Sequence, residues 1–128
     1  MLPTRYLALL IVLPVITSCS EDGDRFEMPY FEEPGLVQGR NTWMQICRNC
    51  HLVGVAGAPA VTNREAWQGR FSKGRERLYQ SAINGIRREG KWTMPPRGGE
   101  ARLSDTQVYR AVDYMLAAAL SEPTHAQE

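Results

Sequence analysis

Cysteine and histidine are scarce in this chain, with three Cys and two His among 128 residues. Three Cys are too few for a disulfide-dense scaffold. Long apolar runs are also missing. The one apolar stretch, residues 6–16, is too short for a comfortable membrane span, and Pro14 interrupts it. No run alternates apolar and polar residues for long enough to argue a strand, and no segment repeats. The net charge of the whole chain is only +1, so no bulk basicity points to nucleic acid. What the chain does hold is 43% hydrophobic residues, enough for one small folded domain.

The apolar stretch near the N-terminus follows a single Arg and reads as the core of a secretory signal, residues 1–18. It ends in "ITSC" (16–19), which resembles the lipobox of bacterial lipoproteins. In such proteins cleavage precedes the Cys, which is then acylated. Cys19 is thus expected to carry lipid and to anchor the protein on the periplasmic side of a bacterial membrane. Ser20 in the next position favours the outer membrane, although the sequence leaves inner against outer open. The alternative is ordinary signal cleavage near Ser18 or Ser20. Residues 19–34 hold six acidic residues, one Arg and two prolines, and read as a flexible tether.

Residues 35–120 form the expected domain, followed by a polar tail, residues 121–128. The domain carries 13 Lys and Arg against 6 Asp and Glu, a net +7 that the acidic tether hides in the whole-chain figure. Helical signals dominate it. Val37, Arg40, Trp43 and Met44 share helical spacing and lead into Cys47. Thr62 and Glu65 have capping-box spacing, as do Ser104 and Gln107. Leu78, Tyr79, Ala82 and Ile83 share a face that stops at Asn84-Gly85. Val108, Ala111, Val112, Met115 and Ala119 stripe a last helix. The fold class is therefore small and all-α.

The scarce residues are concentrated in "CRNCH" (47–51). Three chemistries compete for this spacing. A redox dithiol wants its first Cys at a helix N-terminus, but here the helix precedes Cys47. A structural zinc needs a fourth ligand beside Cys47, Cys50 and His51, and only Cys19 and His125 remain. Covalent haem uses all five positions. Two thiols one helical turn apart add to the two vinyl groups of one haem edge, and the next His lies against the ring to ligate iron.

A second axial ligand would then be sought among the methionines. Met28 falls in the tether, Met44 on the attachment helix, and Met115 on the last apolar stripe. Met94 stands in "KWTMPPRGG", where two prolines forbid helix and favour a stiff loop. A thioether pressed onto iron from that loop would raise the reduction potential relative to two imidazoles.

"CRNCH", "GAP", "AW", "LYQSAINGI", "MPPRGG" and "LSDTQVYRAVDYML" occur in the order found in class I c-type cytochromes. The chain most closely resembles bacterial cytochrome c5 over residues 35–120. It lacks the second cysteine pair that cytochromes c5 often carry after the Met loop. The resemblance implies a class I fold of helices wrapped around one covalent haem c. It implies His51 and Met94 as axial ligands, and a Pro59 carbonyl that steadies His51. It implies that Gly39 and Trp43 pack on the last helix near Val112 and Met115. It makes Trp67 and Arg70 candidates to bond a haem propionate, against the alternative of a core Trp and a solvated Arg.

The expected function is single-electron transfer between periplasmic redox partners, with no catalysis and no small-molecule substrate. Arg70, Lys73, Arg75, Arg77, Arg87, Arg88, Lys91 and Arg97 suggest docking on acidic partner surfaces. The alternatives are a subunit of a larger oxidase or dehydrogenase, and a haem enzyme or ligand sensor.

Overall fold

The computed structural model describes residues 27–121. Cys19, His125, the signal and the first half of the tether lie outside that range. The described chain runs α1 (Pro34–Thr42), a π turn (Trp43–Cys47), α2 (Arg48–His51), α3 (Arg64–Phe71), α4 (Arg75–Asn84), β1 (Ile86–Arg88), β2 (Lys91–Met94) and α5 (Asp105–Leu120). No helix among the described residues is long and apolar enough to cross a membrane.

The first helix starts where the backbone finds a cap. The Glu33 carboxylate accepts from the Gly35 and Leu36 N–H groups at 2.9 and 2.8 Å, and Pro34 sits at the first helical position. Those two bonds hold the Glu33 carboxyl below its ordinary pKa. From there the chain stays helical to His51, but residues 43–47 widen into a π turn. A π turn inserts one residue into the helical register and rotates everything after it. The spacing of Trp43 and Met44 revealed the helix but not this shift.

α5 closes the fold. Its capping box is present as its sequence suggests: Ser104 accepts from the Gln107 N–H, and Gln107 Oε1 accepts from the Ser104 N–H at 2.9 Å. Its stripe buries Val108, Ala111, Val112, Met115 and Ala119 together with Tyr114 and Leu116. α1 crosses α5 at Gly39, where a Cβ would collide with the Arg110 carbonyl and lie 3.1 Å from Tyr114 Cβ. Trp43, fully buried, packs its ring 5.8 Å from that of Tyr114. The crossing thus centres on Arg110 and Tyr114. These lie two positions before Val112 and one before Met115, at the level of α5 that the resemblance implied but on a neighbouring face.

Three further expectations are corrected. The cap of α3 is Asn63, whose side chain accepts from the Ala66 N–H at 3.0 Å, not Thr62. The tether does not extend to residue 34. Met28 is buried in the core, Tyr114 Oη donates to the Pro29 carbonyl at 2.8 Å, and Phe31 meets the Tyr114 ring edge-on. An apolar Met and Phe amid acidic neighbours carry enough hydrophobic surface to dock a segment whose composition reads as solvated. Finally, residues 86–94 form a two-stranded antiparallel hairpin. Its strands of three and four residues are too short to show a period of two.

Candidate functional site

A cleft opens between the α1–α2 junction, α4, the loop after β2 and α5. Cys47 and His51 line it from one side. Met94, Arg97 and Gly98 line it from the loop, and Ala82, Leu103, Val108, Ala111, Val112 and Met115 complete it. Nearly all of these side chains are apolar, so the cleft suits an apolar group rather than a hydrated substrate.

The local sequence builds the His51 side from three backbone-directed bonds. His51 Nδ1 lies 3.0 Å from the Pro59 carbonyl. The Val61 N–H donates to the His51 carbonyl at 2.7 Å. The Trp67 indole N–H donates to the Ala60 carbonyl at 2.8 Å, while its ring packs 5.9 Å from the imidazole. Residues 59–61 are thereby laced to the His51 side and to α3. Burial holds the His51 pKa below its ordinary value. The Pro59 bond opposes that shift, and the Arg70 charge adds to it. The neutral ring with its proton on Nδ1 keeps the Nε2 lone pair free to ligate a metal.

The two thiols are not bonded to each other. Burial pushes the Cys47 thiol up to about 11, a backbone bond works against that rise, and Cys50 adds to it. A redox dithiol needs the opposite, a thiolate stabilised near neutral pH. Among the described residues no three of His, Cys, Asp or Glu are grouped to hold a metal ion. Neither observation favours the dithiol or the zinc reading. The apolar cleft, the Cys47 thiol on its wall, exposed Cys50 one turn on, and the free Nε2 of His51 all fit a covalently held haem.

Met94 reaches the same cleft, at the end of β2 and just before Pro95. Met115 reaches it too, from α5, so two thioethers line the cavity. Met44 is partly buried against the core. Met28 lies in the core and not in a tether.

The remaining assignments change. The single Trp67 N–H is committed to Ala60, so it is not free for a propionate, and Trp67 instead forms the wall behind His51. Arg70 stands beside Trp67, its guanidinium carbon 5.8 Å from the ring centre, with Nη1 donating to the Ala66 carbonyl. Neither residue lines the cleft. Arg97, read from sequence as a docking charge, is tied inward. It donates to the Leu103 carbonyl at 2.8 Å and to Asp105 at 2.6 Å, and its backbone takes φ 54°. Positive φ favours glycine, so an arginine at this position gives no sequence signal of it. Gly98 was also missed, although a Cβ there would press within 2.8 Å of Ile46 Cγ2.

Comparison with known proteins agrees with this geometry. Residues 35–115 match the family model described as cytochrome c oxidase, cbb3-type, subunit III. A cytochrome c-555 of Chlorobaculum tepidum is 40% identical over 78 residues, covering 61% of this chain and 71% of that protein. A cytochrome c5 of Ectopseudomonas mendocina is 35% identical over 71 residues, covering 54% of this chain and 76% of that one. A chain in a crystal structure of an electron transfer complex of nitrite reductase with cytochrome c superposes with a TM-score of 0.55. It is 33% identical, and the match covers 64% of this chain and 94% of that one.

Proposed function

Because the chain belongs to the class I monohaem c-type cytochromes, we propose that it is a lipid-anchored electron carrier working among periplasmic redox proteins. Its relatives are electron carriers and not enzymes, and they hold haem c through the C-x-x-C-H motif that Cys47, Cys50 and His51 complete here. The observation that carries the reading is the apolar cleft with a ligand-ready imidazole on one wall and a thioether on another.

The bound haem supplies a one-electron couple at iron. The chain's own residues do the rest. Cys47 and Cys50 would hold it by thioether bonds. His51 would ligate through Nε2, its ring fixed by Pro59. Met94 would supply a second ligand, held by the stiff "MPP" turn. The apolar walls exclude water, so little solvent reorganises when the charge changes. With His51 and Met94 both holding the iron, no position would be left for a substrate, as suits a carrier.

The absorption spectrum of the purified protein tests this reading. It should show covalent, low-spin haem c with a Met–iron charge-transfer band in the oxidised form. Met94→Ala should abolish the band and Met115→Leu should keep it; the reverse would move the ligand to α5. Carbon monoxide binding to the reduced protein at neutral pH would instead favour a ligand sensor. Membrane release on Cys19→Ser tests the anchor.

A second reading has one observation behind it. The matching family model is described as an oxidase subunit. Co-purification of a terminal oxidase or dehydrogenase from mild detergent would place this cytochrome inside a complex.

A further inference from the structure

We propose that the β1–β2 hairpin is the docking surface, and that its occupant is a redox protein whose contact face has an apolar centre ringed by carboxylates. The proposal rests on the carrier reading above and names where the partner sits.

An isolated two-stranded hairpin is marginal in water, so its exposed side chains ought to be polar. Here all three residues of β1 and the first three of β2 are exposed. Two of them are large and apolar: Ile86 is 37% exposed and Trp92 is 48% exposed. Tryptophan and arginine are both enriched at the energetic centre of protein interfaces. The Arg87 guanidinium carbon lies 4.7 Å from the Trp92 ring centre, and its Nη2 donates to the Gly90 carbonyl at 2.7 Å. Both side chains are therefore ordered before any partner arrives, which lowers the entropy lost on docking.

Charge selects the partner. The hairpin carries Arg87, Arg88 and Lys91 against one acid, Glu89. Other cations of the domain are spent internally: Arg75 on Asp113, Arg97 on Asp105, and Arg102 on Glu100. Among the described residues, none of the hairpin cations is held in an ion pair. The patch is also continuous with the site. Trp92 lies against Gly85, where a Cβ would stand 2.8 Å from Cζ3. Ile86 pairs across the hairpin with Met94, which lines the cleft. A protein seated on Trp92 would therefore sit beside the residues that flank Met94 at the cleft wall.

The test follows electron exchange of the full-length, haem-loaded protein with an acidic blue-copper protein, beside exchange with a small uncharged quinol. Trp92→Ala and the double change Arg88→Glu with Lys91→Glu should each slow the protein reaction about tenfold at low salt. The quinol reaction and the visible spectrum should stay as in the unaltered protein. Wild-type rates in both hairpin variants, with slowing by Lys73→Glu and Arg77→Glu instead, would overturn the proposal. So would hairpin variants that lose only adsorption to anionic phospholipid vesicles, because the surface would then face a membrane. If the unaltered protein exchanges electrons with neither reagent, the carrier reading itself fails.

Discussion

Gly85 and the Met94 carbonyl are in contact through the space where a side chain would stand. A Cβ built on Gly85 lies 2.7 Å from the Met94 oxygen and 2.7 Å from the Pro96 nitrogen. The same residue takes φ 73° to end α4. Gly85→Ala must therefore accept a left-handed backbone and push the Met94–Pro96 backbone away. The expected cost is about 1–3 kcal/mol, part of it from the backbone conformation alone. The displaced loop should also weaken the Met–iron charge-transfer band. A full-strength band together with wild-type stability would show that α4 does not hold the Met loop in place.

Gly39 plays the corresponding part at the helix crossing. A Cβ there collides with the Arg110 carbonyl, a backbone atom that no rotamer change can move. Gly39→Ala should force α1 off α5 and cost about 1–3 kcal/mol, with Gly39→Val costing more. Denaturant midpoints of the haem-loaded proteins measure this. An unchanged midpoint for Gly39→Val would mean that the two helices are farther apart than described.

Trp67→Phe isolates a single hydrogen bond. The ring that backs His51 is largely retained, but the Ala60 carbonyl loses its indole donor. Leaving that acceptor partly buried should cost about 1–3 kcal/mol. Because Ala60 adjoins Pro59, the His51 Nδ1–H should exchange faster with solvent, as read by NMR. Loss of stability without faster exchange would make Trp67 a core residue only.

The covalent site was legible because its chemistry is local. Cys47, Cys50 and His51 lie within five residues, and no tertiary contact is needed to see their spacing. The α5 capping box was legible for the same reason. What sequence could not show depends on distant partners. Trp67 was a candidate propionate donor, but its N–H donates to the Ala60 carbonyl. Arg97 looked like a surface cation until Leu103 and Asp105 claimed it. Met115 looked like pure core, yet the cleft it packs against is the cleft that Met94 reaches. The Met28 segment looked solvated because its acids outnumber its apolar residues, yet Met28 enters the core and Tyr114, 85 positions beyond Pro29, pins the segment down. The π turn has no sequence signal at all, since a shift of one residue leaves composition unchanged.

Tyr79 makes the fold sensitive to alkali. Its hydroxyl donates to Asp113 at 2.6 Å, bridging α4 and α5, and its ring lies 4.5 Å from that of Tyr109. Burial raises its pKa to about 12. The Asp113 hydrogen bond and charge add to the rise, and Arg75 opposes it. The folded protein thus holds this proton more tightly than the unfolded chain, whose tyrosines ionise near 10. The resulting stabilisation is complete below pH about 10 and disappears as pH rises toward about 12. Chemical denaturation of the unaltered protein should therefore show stability falling through that window. Tyr79→Phe should start from lower stability at neutral pH, having lost the Asp113 bond, and should show a shallower alkaline decline. Equal slopes in the two proteins would assign the alkaline loss to another group and leave Tyr79 a packing residue.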